Sequence, residues 1–322
     1  MVFGGEVDTS WVWLWVPVAI LAAALQTGRN AIQKGLTAEL GTLGATQVRF
    51  VFGLPFAGVF LLLALWLTGS GLPGVNWTFA LFVVVGAMAQ IVATALMLAA
   101  MRLRDFVVVT VWTKTEPVQI ALFGFVVLGD SLSLWSVIAI STATLGVVWM
   151  AYRPSSAGPG GAGSNTAGVA QQQGSNWQPI VFGLAAAAAF AVAAVGFRGA
   201  ILALPEGNFL VRASWALVCG LVTQASVLAI WMAWREPGVW QRCLSAWRLS
   251  LAGGFLGAAA SQGWFIGFAL TSAANVRTLA LVEVFFAQFL SRRLFQGHTT
   301  LQEKIGMALI VAGVGLLLWL QA

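Results

Sequence analysis

Apolar runs of about 20 residues recur along this chain, each long enough for a helix rising ~1.5 Å per residue to cross ~30 Å of hydrocarbon. Separated by polar, Gly or Pro breaks, ten such runs fall at about 11–33, 44–68, 77–101, 106–128, 133–151, 179–204, 207–233, 246–271, 275–295 and 303–320. Most are unbroken and far longer than a strand, and the ten-residue alternation of a membrane barrel is absent. Only 8% of residues are charged and 60% are hydrophobic, whereas a soluble domain carries about a quarter charged residues. The chain therefore reads as an all-α integral membrane protein. Its opening segment, MVFGGEVDTS, lacks the positive region of a secretory signal, so the first run is read as a retained helix.

The formal charge is +6, but its placement is more informative than its size. Ten of the 16 Lys and Arg residues lie in or beside alternate connections: Lys34, Arg102, Arg104, Arg153, Arg235, Arg242, Arg248, Arg292, Arg293 and Lys304. The remaining connections and both termini carry none. The positive-inside rule puts the connections after helices 1, 3, 5, 7 and 9 in the cytoplasm and both termini outside. The setting this implies is a bacterial-type inner (plasma) membrane. These cations read as topological anchors, and because no recognition element interleaves them, nucleic acid is not an expected partner.

Several chemistries lack their residues. Cys219 lies inside a helix and Cys243 in a connection, which gives neither a disulfide framework nor a metal cage. The single histidine, His298, sits in a loop and leaves no His-based dyad or multi-His metal site. Neither Asp105 nor Asp130 has a His nearby to activate a nucleophile, so a lipid-modifying enzyme is disfavoured. No phosphate-binding P-loop occurs, which argues against ATP-driven work by this chain alone. No enzyme activity, cofactor or metal is expected.

Between helices 5 and 6, residues 153–178 are rich in Gly, Ser, Ala and Gln and read as a flexible cytoplasmic linker. It divides the chain into a first five-helix block, 1–152, and a second, 179–322. The blocks echo each other in order: Val48-Arg49 and Val211-Arg212, Gln90 and Gln262, Glu116 and Glu283, Gly146-Val147 and Gly313-Val314. The Glu pair and the Gly pair share one spacing of 167 residues (283 − 116 and 313 − 146). With an odd number of crossings per block, the second repeat must enter from the opposite side. The expected architecture is ten transmembrane helices arranged as two inverted five-helix repeats, with functional residues near the midplane, as in many secondary transporters.

Six cations (Arg29, Arg49, Lys114, Arg198, Arg212, Arg277) and two acids (Glu116, Glu283) fall inside these spans. Each costs roughly 2.5–3.5 kcal/mol near the bilayer centre, so they are expected to face a cavity or one another. Trp112, Glu116, Gln119 and Phe123 share one helical face. Lys114 points nearly the other way and is expected to reach another helix or the membrane edge. Pro117 removes a backbone donor and breaks the helix. Irregular backbone at membrane depth survives only where it is buried in protein or lines water. Helix 9 repeats the theme with Arg277, Leu281, Val284 and Gln288, and Glu283 is turned away from Arg277. For Arg49 and Arg212 the reading divides evenly between an interhelical cation and substrate binding, and Glu116 and Glu283 could equally be ion pairs that fix packing.

The segment TEPVQIALFGFVVLGDSLS (115–133), the arginine of ATQVRFVFGLPFAG (45–58) and the paired blocks resemble the drug/metabolite transporter superfamily, and within it the ten-helix EamA-type transporters. That resemblance implies a cavity enclosed by helices 1–4 and 6–9, buttressed by helices 5 and 10, with alternating access and export of amino acids or related metabolites. Glu116-Pro117 corresponds to the family's acidic-proline element, whereas the second half has Glu283-Val284 and FQG (295–297) in place of the motifs.

The sequence thus points to a secondary transporter of small organic metabolites in a lipid bilayer, acting as a monomer or homodimer. Its substrate-binding candidates are Trp112, Glu116, Gln119, Gln90, Gln262, Trp264, Arg277 and Glu283, with Glu116 and Glu283 the candidates for carrying a coupling proton. Amino acids or related zwitterionic and anionic compounds suit buried Arg together with aromatic walls. A flippase for a lipid or polyprenyl-linked substrate is the alternative, since buried Arg also holds phosphate.

Overall fold

The computed structural model describes residues 13–103, 112–151, 177–235, 238–286 and 300–321, and among these no strand occurs. Linker residues 153–176, His298, Asp105, Gln288, Arg104, Arg292, Arg293 and the FQG stretch lie outside the described residues, while Trp177 and Gln178, placed in the linker by the sequence reading, are described and Gln178 already starts a helix.

Among the described residues a helix forms within each predicted apolar run, while 106–111 of predicted helix 4 and 287–295 of predicted helix 9 lie outside them. Predicted helices 1 and 2 merge into α1 (Trp15–Val51), which holds a non-helical Gly41 at φ 72, and α2 (Leu54–Thr68). Pro55 at the start of α2 explains the extra break, because a proline cannot donate to the preceding turn. Gly69, left-handed at φ 61, closes α2. Next come α3 (Trp77–Leu103), α4 (Glu116–Leu128), α5 (Leu134–Ala151), α6 (Gln178–Ala203) and α7 (Phe209–Arg235). A short α8 (Val239–Ser245) precedes α9 (Trp247–Leu270) and α10 (Ala273–Leu279). The chain after α10 tightens into a 3-10 turn, Ala280–Val282, where the sequence ALV carries no breaker that announces it. Thr300 and Glu303 form a capping box that starts α11 (Leu301–Trp319).

Five described stretches are long and apolar enough to cross a membrane: Thr46–Thr68, Trp77–Met97, Ile180–Ala203, Phe209–Arg235 and Leu301–Trp319. Shorter apolar helices lie at Glu116–Leu128 and Leu134–Met150. Their outward faces carry large apolar side chains such as Leu62, Leu67, Val126 and Ile230, as a lipid-facing surface requires. Trp66, Trp77, Trp135, Trp234 and Trp319 stand exposed at or near helix ends, where indole rings favour the interfacial zone. The protein is an all-α integral membrane protein.

Helix pairing is symmetric between the two halves of the chain. The most extensive contacts join α3 to α6, α1 to α9 and α5 to α11. Exchanging the two halves turns the first pair into the second and returns the third to itself. The α5–α11 contact obeys this rule at the level of single residues. A Cβ on Gly146 would meet Gly306 and Ile310, and one on Gly313 would meet Ala139 and Ala143. Shifting the first set by 167 positions gives the second. Bare glycine at 146, 306 and 313 lets these two helices touch through their backbones.

Candidate functional site

Two ion pairs tie the start of α4 to the α10 segment. Glu116 is the first residue of α4, directly before Pro117, and the backbone at Lys114 and Thr115 forms a turn. Both carboxylate oxygens of Glu116 accept from Arg277, Oε1 from Nε at 2.9 Å and Oε2 from Nη2 at 2.7 Å. This forked geometry is the strong form of the Arg–carboxylate pair. The Lys114 ammonium, freed from its own helix face by the turn, pairs with Glu283 Oε1. Glu116 and Glu283 are buried, at 6% and 8% exposure.

A hydrogen-bonded chain from α1 and α9 supports this cross-brace. Gln26 Nε2 donates to Glu283 Oε2 at 2.8 Å, and the Trp264 indole donates to Gln26 Oε1 at 3.1 Å. The Arg277 guanidinium lies over the Trp264 ring, 5.2 Å from its centroid. Four predicted residues, Glu116, Trp264, Arg277 and Glu283, thus meet in one network. Sequence reasoning missed Gln26, although a glutamine within LAAALQTG is visible as polar in an apolar run.

Gln90, Gln262, Gln119 and Trp112 stand elsewhere. Gln90 Oε1 accepts from Gln224 Nε2 at 2.5 Å, and both amides line a narrow cavity with Arg49, Phe50, Phe197, Leu217, Leu221, Ser261 and Phe265. Gln262 Nε2 donates to Ser214 at 2.9 Å, joining α9 to α7, while its Oε1 is buried without a partner. Gln119 Nε2 donates to Thr115 Oγ1 at 3.3 Å. The half-buried Trp112 is one turn before Glu116 in sequence, and its carbonyl accepts from Thr115 Oγ1 at 2.8 Å.

Arg29 and Arg49, on either side of Gly41 within α1, flank Gly257 of α9. A Cβ at Gly257 would stand 3.3 Å from Arg29 Cδ and 3.5 Å from Arg49 Cγ. At the opposite end, Arg198 of α6 holds three elements together. It pairs with Asp130 at 3.0 Å and donates to the carbonyls of Phe268 and Thr271 at the end of α9. Gly124 leaves room for the Asp130 carboxylate, which a Cβ there would approach to 2.9 Å.

A crystal structure of a protein, 18% identical, superposes with a TM-score of 0.66 over 97% of this chain and 98% of its own, which shows the shared fold. No curated protein matches the chain significantly. Residues 13–152 match the sequence profile of the EamA-like transporter family, so that this stretch of the chain is similar to a family of membrane transporters.

Proposed function

We propose that the protein is a secondary transporter moving small organic metabolites by alternating access between two inverted repeats, residues 1–152 and 179–322, joined by a cytoplasmic linker at 153–178. Amino acids or related zwitterionic and anionic compounds are its substrates, export across a bacterial-type inner membrane is its direction, and both termini lie outside. The observation that carries the reading is the crossed pair Glu116–Arg277 and Lys114–Glu283 at the junction of the two halves. Charges at that depth cost several kcal/mol unless they serve a polar pathway or each other. Here they meet at a proline-started helix on one side and a 3-10 turn on the other, and broken helices of this kind form the substrate sites of inverted-repeat carriers.

The substrate contacts are Trp112, Glu116, Gln119, Gln90, Gln262, Trp264, Arg277 and Glu283. Glu116 or Glu283 exchanges its Arg or Lys partner for a proton during the cycle. The test is reconstitution in proteoliposomes with a panel of radiolabelled amino acids and their keto-acid analogues. Counterflow of at least one supports the reading, and movement of none sinks it. Transport by Glu116→Gln and Glu283→Gln with the wild-type pH profile would remove proton coupling while leaving transport itself in place.

A further inference from the structure

The charge of the central region does not balance. Among the described residues, Arg29, Arg49, Lys114 and Arg277 lie close enough to feel one another, against two carboxylates, Glu116 and Glu283. Those two carboxylates are spent on Lys114 and Arg277. Arg29 is 8% exposed, and among the described residues its guanidinium donates to the neutral Oδ1 of Asn30, at 2.7 Å from Nη2 and 3.3 Å from Nε. Arg49 has no hydrogen-bond or ion-pair partner among the described residues. Its guanidinium carbon lies 5.3 Å from the centroid of the Phe50 ring, and the residue opens onto the cavity of Gln90, Gln224, Phe197 and Phe265. Holding a buried and a half-buried cation side by side without an anion is costly. Gly257 is what allows their stems to sit against the same helix.

We propose that Arg49, backed by Arg29, is the seat of an anionic group on the substrate, and that the transported compound is an organic anion, a carboxylate or a phosphate ester with an apolar body, rather than a zwitterion. The arginine forks suit either oxyanion. The apolar body lies against Phe50, Phe197 and Phe265, and the paired amides of Gln90 and Gln224 offer hydrogen bonds to its polar substituents. A zwitterion brings its own cation into a region already in cationic excess, whereas an anion neutralises that excess. This inference rests on the transporter reading and narrows its substrate class.

The test is thermal unfolding of the purified full chain with four probes that share one ring and differ in head charge: phenylacetate, phenyl phosphate, phenylalanine and phenethylamine. A ligand that binds only the folded state raises the midpoint in proportion to its affinity. The expected result is a rise with phenylacetate or phenyl phosphate, the responding probe telling carboxylate from phosphate, and a smaller or no rise with phenylalanine. In Arg49→Gln the affinity for that anion falls by about tenfold or more, the loss of one charge-assisted hydrogen bond or two. Arg49→Lys keeps part of it. If Arg49→Gln does not fold, the ranking of the four probes on the wild type decides. A response to phenylalanine or phenethylamine equal to that of the anions, or no response to either anion, overturns the inference. The transporter reading survives both outcomes if proteoliposomes still move any of the compounds, and fails separately if they move none.

Discussion

Removing Glu116 should cost more than removing its partner Arg277, although either change breaks the same pair. The pair is forked, with bonds of 2.9 and 2.7 Å, and Glu116 is 6% exposed. Breaking a buried pair by neutralising one member costs ~3–5 kcal/mol, because the survivor is left unpaired. The two survivors differ. Without Glu116, Arg277 remains among Arg29, Arg49 and Lys114, with Glu283 the one carboxylate left in the group. Without Arg277, Glu116 still has the Lys114 ammonium near enough to attract it. Glu116→Gln should therefore fall at the upper end of that range, ~4–5 kcal/mol, and Arg277→Gln at the lower end, ~3 kcal/mol.

The double variant Glu116→Gln/Arg277→Gln removes both charges of the pair, leaves neither partner behind as an uncompensated ion, and should lie within about 1–2 kcal/mol of the wild type. Denaturant unfolding in mixed micelles, followed through the tryptophans, measures all four species of the cycle. Additive single effects would mean that the two side chains do not act as a pair. Greater damage from Arg277→Gln would refute the charge-excess argument itself.

Other sites give independent checks by the same unfolding assay. Gly146→Ala and Gly313→Ala should each destabilise by ~1–3 kcal/mol, since the new Cβ would stand 2.6 Å from the Gly306 carbonyl oxygen and 2.5 Å from the Ala143 nitrogen respectively. Gly58→Ala, in open space on α2, should be neutral or stabilising and serves as the control. Arg198→Lys loses the fork shared among Asp130, Phe268 and Thr271 and should cost ~1–3 kcal/mol, while retention of full stability would show that the charge alone suffices. Thr300→Ala removes the capping box of α11 for ~0.5–2 kcal/mol, and no change in the unfolding midpoint would mean that the helix end frays without consequence.

Hydropathy made the helices legible because the bilayer imposes their length and composition. Gly146 and Gly313, which echo each other between the repeats, lie where α5 and α11 touch. The breaks around the ion pairs were half legible. Pro117 announces one, but nothing in Ala280–Val282 announces the other, since a tightened turn there answers to tertiary packing. The partners of the buried charges were not legible. Helical periodicity turns Lys114 away from Glu116, but the backbone at Lys114 and Thr115 is a turn, so that periodicity does not set its partner. Which helix receives it depends on how two halves of the chain cross, a relation between residues 169 positions apart (283 − 114) that no local pattern encodes.

The two equivalent glutamates end in unequal surroundings, which bears on the proposed transport cycle. Glu116 and Glu283 correspond across the repeats at 167 residues, but their partners do not. By the same spacing Lys114 corresponds to Leu281, and Arg277 to Thr110. If the cycle exchanges the conformations of the two halves, as alternating access by inverted repeats entails, it does not exchange the environments of the two carboxyls. One stays with a rigid guanidinium fork, the other with a single ammonium and the Gln26 amide. Glu283→Gln should then cost less than Glu116→Gln, by ~1–2 kcal/mol, because a glutamine at 283 keeps the Gln26 bond and frees a flexible lysine that can turn toward water. Unfolding midpoints of the two variants decide the matter. Equal losses would mean that the carboxyls are interchangeable and that the two end states of the carrier need not differ in energy on their account.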